Sequence, residues 1–414
     1  MKRPLRLVLT GVGALLLVLG LAAGAATLYA VRQFDAKHDL PLPTGFTPAR
    51  SPEALARGKH LFDTICAQCH VDAKGLAAGQ HMADVPEFLG KFYTANLTRH
   101  PTGGIGAWSD AELARVIRTG IRRNGRLAIV MPQFSGLSDD DLAAVVGHLR
   151  SDDPVFAPVA EPQPPIEGTL VGKLILTFVA GAKPKPMAAH PIVAPPVGPT
   201  ADYGRYLVKD VLQCGDCHSP GFAGDKSEGK EAFTGGFEFV GARGEKVLSS
   251  NLTPDADTGI GRMTEAEFVR ALREGVRPDG TPLRPPMAPF RTLDEVEARA
   301  VYAWLRTLAP VHHPIPRPAA DAPPPGGGVA ARFVTLGCVA CHGEGAAFRE
   351  KLRPAAGQPL DEVAARILHP ERFNPRSPMP SFAGRVDEAE ARSLAAHVQE
   401  LSRRLPPPAQ VADR

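Results

Sequence analysis

Cys66-Ala67-Gln68-Cys69-His70 is the first of three short stretches on which the reading of this chain turns. Cys214-Gly215-Asp216-Cys217-His218 is the second, and Cys338-Val339-Ala340-Cys341-His342 is the third. Together they use all six cysteines of a 414-residue sequence. C-x-x-C-H is the signature for covalent attachment of c-type haem. The two thiols add to the two vinyl groups of the porphyrin as thioethers, and the His that follows lies under the iron as its proximal ligand. A disulfide framework would not place a His after every cysteine pair. A thioredoxin-like redox motif would occur once. Zinc would require two C-x-x-C units closing one tetrahedral site, whereas these motifs lie 148 and 124 positions apart. The expectation is three covalently bound haem c groups, held by Cys66, Cys69, Cys214, Cys217, Cys338 and Cys341, with His70, His218 and His342 on the irons.

Composition agrees with that reading. Aromatic residues make up only 6% of the chain, with two Trp, so each haem would supply the large apolar body its core lacks. The balance of 47 basic and 44 acidic residues gives a net charge of +3, which argues against a nucleic-acid partner. No dinucleotide fingerprint, phosphate-binding loop or nucleophile motif is present.

Haem c is attached outside the cytoplasm, so an export segment is expected. Lys2, Arg3 and Arg6 precede an uncharged run from Leu7 to Val31. As a helix this run would be roughly 37 Å long, enough to span a bilayer with some tilt. The basic residues keep 1–6 in the cytoplasm, with 7–31 as a single-pass anchor in the inner membrane and the rest outside. A cleaved signal peptide is the alternative, since Ala22 to Ala30 is rich in small residues.

Beyond the anchor, prolines divide the chain. One haem unit is expected over 52–151, a proline-rich linker over 152–201, a second unit over 202–309, a Pro/Gly-rich linker over 310–328, a third unit over 329–404, and a tail over 405–414. Each unit reads as helical. Leu142, Val145, Val146 and Leu149 keep i, i+3, i+4, i+7 spacing, as do Val301, Trp304, Leu305 and Leu308; Ala391, Leu394, Ala395, Val398 and Leu401 repeat it. Each unit thus has a helix leading into its motif and an amphipathic closing helix, and the fold class is all-α. The apolar stretch Gly168 to Gly181 is too short to span a membrane. It reads as a strap on a haem unit or partner, with a membrane-surface segment as the alternative.

The first two units are repeats of one another. Asn96-Leu97-Thr98, Gly104-Ile105-Gly106 and Arg118, Gly120, Arg122 recur 155 positions later as Asn251-Leu252-Thr253, Gly259-Ile260-Gly261 and Arg273, Gly275, Arg277. Their matched places in a duplicated fold argue for a loop role over glycosylation.

The sixth position on each iron needs its own ligand, and Met is a common one that raises the reduction potential. Met131 precedes Pro132, Met287 follows Pro285-Pro286, and Met379 precedes Pro380. Proline stiffens a loop that must hold sulfur over iron. Met131, Met287 and Met379 are therefore the expected distal ligands. His81, His100, His369 and His397 are rivals, with His397 expected at the surface. Met82 and Met263 read as packing residues.

These features resemble the multihaem, three-haem cytochrome c subunits of membrane-bound periplasmic alcohol and gluconate-type dehydrogenases. The similarity is carried by N-L-T, the Gly-Ile-Gly stretch, R-x-G-[IV]-R and the Met loop in the first two units; the third resembles a generic mono-haem cytochrome c. It implies three cytochrome c-like domains in tandem, behind a transmembrane helix and facing the bacterial periplasm. It also implies a non-enzymatic electron-transfer role, with electrons arriving from a catalytic flavin or quinone subunit. They would leave to a quinone, another cytochrome or a terminal oxidase of the respiratory chain. A membrane-tethered wire between respiratory complexes is the alternative, and a haem enzyme such as a peroxidase is disfavoured by a Met available to every iron.

Overall fold

The computed structural model describes residues 3–72, 74–82, 85–221, 226–240, 246–284, 286–316, 327–344, 346, 348–374, 377 and 379–406. Much of the second expected linker (317–326), most of the tail (407–414) and the first two residues lie outside them.

The architecture is mostly helical. The N-terminal helix runs from Arg3 to Phe34, three residues beyond the expected end at Val31. Within its Thr10–Phe34 portion an 18-residue stretch reaches a mean hydropathy of 2.2 and is almost wholly uncovered by the rest of the chain. Length and composition suit it to cross a membrane. The only strands among the described residues are two short antiparallel pairs, Gly90–Lys91 with Glu167–Gly168 and Glu238–Val240 with Lys246–Leu248. The all-α expectation did not include them; two or three residues are too few for a readable alternation.

Contacts divide the chain into two compact units. The first gathers residues up to 62 and 69–193; the second gathers 63–68, 194–220 and the described residues from 226 onward.

In the first unit, helix Pro52–Leu61 starts at Ser51, whose side chain accepts from the Ala54 amide. It crosses the closing helix Asp139–Leu149, whose Ser138 cap and three Asp in the first turn suit a helix N-terminus. The crossing is close because Gly58 has no side chain: a Cβ there would lie 2.0 Å from the Ala144 carbonyl oxygen. Leu61, Phe62, Leu142, Val145, Val146 and Leu149 are buried. Each such side chain is worth about 1.5–3 kcal/mol on burial.

The second unit repeats the device. Helix Ala201–Tyr206 crosses closing helix Glu295–Leu305, and a Cβ on Gly204 would lie 1.9 Å from the Ala300 carbonyl oxygen. The closing helix ends at Leu305, one turn before the periodic Leu308. The same unit contains helix Gly328–Thr335 and the closing helix Glu388–Arg403, which buries Ala391, Leu394, Ala395 and Val398. Leu, Val and Ala at helical spacing thus fill the buried face of each closing helix.

Candidate functional site: three Cys-x-x-Cys-His helices

Each motif forms a short helix. Helix Pro52–Leu61 loosens into a π-turn over Phe62–Cys66 and resumes over Ala67–His70. A second π-turn, Leu207–Val211, leads toward helix Cys214–His218, and the third motif is helix Cys338–His342. The first cysteine of each motif is partly buried, while Cys69 and Cys217 are exposed. Burial pushes the Cys214 and Cys338 thiols up to about 12, and it raises Cys217 as well. Cys214 and Cys338 are thus neutral thiols.

The three histidines share one geometry. Nδ1 of His70 lies 2.8 Å from the Ala95 carbonyl oxygen, Nδ1 of His218 lies 2.8 Å from that of Ser250, and Nδ1 of His342 lies 3.0 Å from that of Phe348. A carbonyl can only accept, so Nδ1 carries the proton and Nε2 keeps its lone pair. That is the tautomer an iron ligand needs, oriented by a second partner. Burial lowers the basicity of all three rings, outweighing the carbonyls, and holds them neutral.

The carbonyl partners explain the repeated N-L-T. Ala95 and Ser250 are the residues immediately before Asn96 and Asn251. The Asn96 amide oxygen accepts from the backbone N–H and hydroxyl of Thr98, and its nitrogen donates to the carbonyls of Val159 and Glu161. Asn251 accepts in the same way from Thr253 and donates to the Thr258 hydroxyl and the Val311 carbonyl. Both Asn side chains are buried, which suits a loop clamp and leaves no room for a glycan.

R-x-G-[IV]-R frames the loops that carry Met131 and Met287. Helix Asp110–Thr119 ends at Gly120 with φ 74°, and helix Glu265–Glu274 ends at Gly275 with φ 75°. This is the left-handed cap that glycine adopts without a Cβ clash. The Gly120 carbonyl then accepts from Ala128, and that of Gly275 from Leu283. Downstream, Phe134 donates to Ile117, and Phe290 to Leu272. Arg118 donates to the Leu137 carbonyl and Arg273 to that of Leu293. Each Met is thus held in a loop tied at both ends to one helix. Arg122, at the start of the first loop, lies close enough to His70 to oppose its protonation. Met131, Met287 and Met379 are all partly buried.

The third motif is built differently. Cys338, Val339 and Met379 pack on one apolar cluster that includes Phe333, Leu352, Ile367, Phe382 and Leu394. Beside Cys338 sits Arg385, whose Nη1 is buried without a hydrogen-bond partner. A donor so placed fits a carboxylate acceptor such as a haem propionate. Imidazoles protonated at Nδ1, two cysteines in each motif and, at the third, one unpartnered guanidinium nitrogen together form a donor set that fits haem c.

The rival histidines each have contacts of their own. His100 Nδ1 accepts from the Gly103 amide at 3.0 Å. His81 faces the Tyr93 ring, and His369 pairs with Glu371. His397 is not at the surface as expected: it is half-buried edge-on against Phe333, 5.3 Å between ring centroids. Met263 repeats Trp108, each amide donating to the Ile of its Gly-Ile-Gly stretch. The carbonyls at 95, 250 and 348 and Arg385 were not found by sequence reasoning. The N-L-T repeat pointed at the first two.

Comparison with known proteins agrees with this chemistry. The family described as cytochrome c oxidase, cbb3-type, subunit III matches residues 53–149. The cytochrome c subunit of an alcohol dehydrogenase (quinone) from Gluconacetobacter polyoxogenes is 30% identical over 223 residues, 51% of this chain and 45% of that protein. The fructose dehydrogenase cytochrome subunit of Gluconobacter japonicus is 26% identical over 283 residues, 64% of this chain and 55% of its own length. The gluconate 2-dehydrogenase cytochrome c subunit of Pantoea cypripedii is 28% identical over 233 residues, covering 53% and 51%. The chain spans about half the length of these curated relatives.

Proposed function

The chain belongs to the family of c-type cytochromes that includes the cytochrome c subunits of alcohol, fructose and gluconate dehydrogenases, and on that premise we propose that it is a membrane-anchored, three-haem electron carrier serving a periplasmic dehydrogenase. The observation that carries the reading is the recurrence, at every C-x-x-C-H helix, of a His whose Nδ1 is tied to a backbone carbonyl. In this reading the six cysteines hold three haems by thioether bonds. His70, His218 and His342 would bind iron through Nε2, and Met131, Met287 and Met379 would bind it through sulfur. Three tandem cytochrome c-like domains over 52–151, 202–309 and 329–404 follow from that assignment. Haem supplies one-electron chemistry.

The chain's own residues do the rest. The Asn96 and Asn251 clamps set the carbonyls that orient two imidazoles. The loops framed by Gly120 and Gly275 hold sulfur in place and limit the rearrangement that accompanies a change of charge. Closing helices keep water from the apolar side of each site. Substrate oxidation belongs to a partner subunit with a flavin or quinone cofactor, which releases two electrons per turnover. Three carriers in one chain can take that pair and pass it on singly to a quinone, cytochrome or oxidase. The helix Thr10–Phe34 holds the assembly to the inner membrane, with the haem domains on the periplasmic face.

The test combines counting and transfer. A pyridine haemochrome assay should find three haems c per chain; two or fewer would overturn the assignment. The purified chain mixed with its co-purifying dehydrogenase and that enzyme's substrate should show rapid reduction of its haem absorbance. Substrate oxidation by the chain alone would overturn the electron-transfer reading.

A further inference from the structure

Residues Leu170–Val179 form a short helix that leaves its large apolar side chains bare. Leu170 and Val171 are each 52% exposed, Phe178 is 53% exposed and Val179 48%. Phe88, whose carbonyl accepts from the Thr169 hydroxyl, is 58% exposed. Single exposed apolar residues are ordinary, but five gathered in one small region call for something to cover them.

The helix is fixed in its place. Thr169 accepts from the Gly172 amide and donates its own amide to the Leu89 carbonyl. Gly172 lies directly on that carbonyl, where a Cβ would come within 1.9 Å of the oxygen. The strand pair Gly90–Lys91 with Glu167–Gly168 closes the approach. A rigid mount of this kind is not what a loose linker needs.

The far side of the mount is the end of the N-terminal helix. The Phe178 and Tyr29 rings lie 5.8 Å apart, and the Lys173 ammonium sits 5.0 Å from the centre of the Phe34 ring and 3.9 Å from Asp35. Tyr29, Phe34 and Asp35 mark where the apolar stretch Thr10–Phe34 gives way to charged chain. The bare face of Leu170–Val179 is therefore continuous with the surface that the anchor presents to lipid, at the level where acyl chains meet headgroups. Ten residues cannot cross a bilayer, but an apolar helix of that length can lie in its interface. Lys173 points to the charged end, as interfacial lysines do.

We propose that Leu170–Val179 is a second membrane attachment, lying in the plane of the outer leaflet beside the exit of the N-terminal helix. The proposal rests on the membrane-anchor reading above. A single helix would leave the first unit free to rotate about the membrane normal and to tilt. Two attachments tied together by Lys173 and by the Phe178–Tyr29 contact hold one face of that unit toward the lipid.

The test uses the full-length, haem-loaded chain in vesicles of phosphatidylethanolamine and phosphatidylglycerol. All six native cysteines lie in haem motifs, so an introduced cysteine is the one thiol left to label. Val171→Cys and Phe178→Cys place a nitroxide on exposed positions, the first leaving the Phe178–Tyr29 contact intact and the second removing it. Leu19→Cys reports the span, and Val193→Cys, in the linker and 82% exposed as Val, reports water. Collisions with oxygen, which enters lipid, and with a water-soluble nickel chelate are then compared. The oxygen-to-nickel ratio at 171 and 178 should stand several-fold above that at 193 and approach that at 19. Water-like ratios at 171 and 178 with a lipid-like ratio at 19 would overturn the proposal and leave the anchor standing. A water-like ratio at 19 would overturn the anchor reading and the proposal with it. Shielding of 171 and 178 from both reagents would mean that a protein surface covers them, and would also overturn it.

Discussion

The guanidinium of Arg291, four residues after Met287, donates to the backbone carbonyl of Met379 and, at 3.3 Å, to that of Ser377. One side chain thus joins the loops of two expected iron ligands within a single compact unit. It is partly buried, and burial lowers its pKa while the Glu371 carboxylate opposes that shift. A positive charge here disfavours the ferric state of a nearby haem. Arg291→Gln should lower the potential of the third haem by on the order of tens of millivolts. Arg291→Lys keeps the charge and should move the potential much less, while losing part of the fork that pins the loop. Potentiometric titration of both variants checks this; equal shifts in the two would show that charge is not the cause.

His100 and Asp255 occupy equivalent places in the repeat, and both cap their loops. His100 accepts from Gly103, as Asp255 accepts from the Thr258 amide at 2.7 Å. His100→Asp should therefore fold normally and leave the potential of the first haem unchanged. His100→Ala should cost about 1 kcal/mol through the lost acceptor. Loss of low-spin haem in His100→Asp would return His100 to the list of ligands.

Legibility from sequence followed the range over which each feature is encoded. A C-x-x-C-H helix is written in five consecutive residues, and a closing helix such as Glu388–Arg403 in its own periodicity. The repeat exposed Asn96 and Asn251 because both copies keep the same local loop. The acceptors of His70 and His218 were not legible, because they are backbone carbonyls 25 and 32 positions away and any residue can supply one. Arg291 was hidden for a related reason: its partner loop lies 88 positions downstream. The stretch Gly168 to Gly181 showed its apolarity but not its support, which depends on Gly172 meeting Leu89.

Acid should loosen the second unit's Gly-Ile-Gly loop. The Thr258 hydroxyl and then the Thr258 amide donate to Asp255 and hold its carboxyl below the ordinary range. A group depressed in the folded state stabilises above its unfolded pKa and loses that contribution as pH falls through the lowered value. The protection factors of amides in 255–261, which remove the intrinsic pH dependence of exchange, should therefore fall as pH drops below about 4. Asp255→Asn keeps an acceptor oxygen without the charge, so it should exchange faster at neutral pH and show little added acceleration in acid. Parallel acid profiles for the two proteins would rule out the carboxylate as the cause.

Asn251 clamps the strand of chain whose carbonyl orients His218. Asn251→Ala removes two donors' partner and two donors of its own from a buried site, and should cost about 2–3 kcal/mol in thermal or denaturant unfolding. It should also raise the potential of the second haem, because an imidazole with a weakened Nδ1 hydrogen bond is a poorer donor to ferric iron. Destabilisation with an unchanged potential would make the clamp purely structural.

Met131 sits in a loop tied to helix Asp110–Thr119 through Gly120 on one side and Phe134 on the other, so a replacement ligand at 131 would be presented from the same frame. Imidazole donates more strongly to ferric iron than a thioether does, so Met131→His should lower the first haem's potential by on the order of a hundred millivolts. The far-red sulfur-to-iron band of that haem should disappear. The waves of the other two haems should stay where they are, because Met287 and Met379 are carried by loops other than the one that holds residue 131. A titration in which no wave moves and the far-red band persists would show that the sulfur of Met131 is not bound to iron.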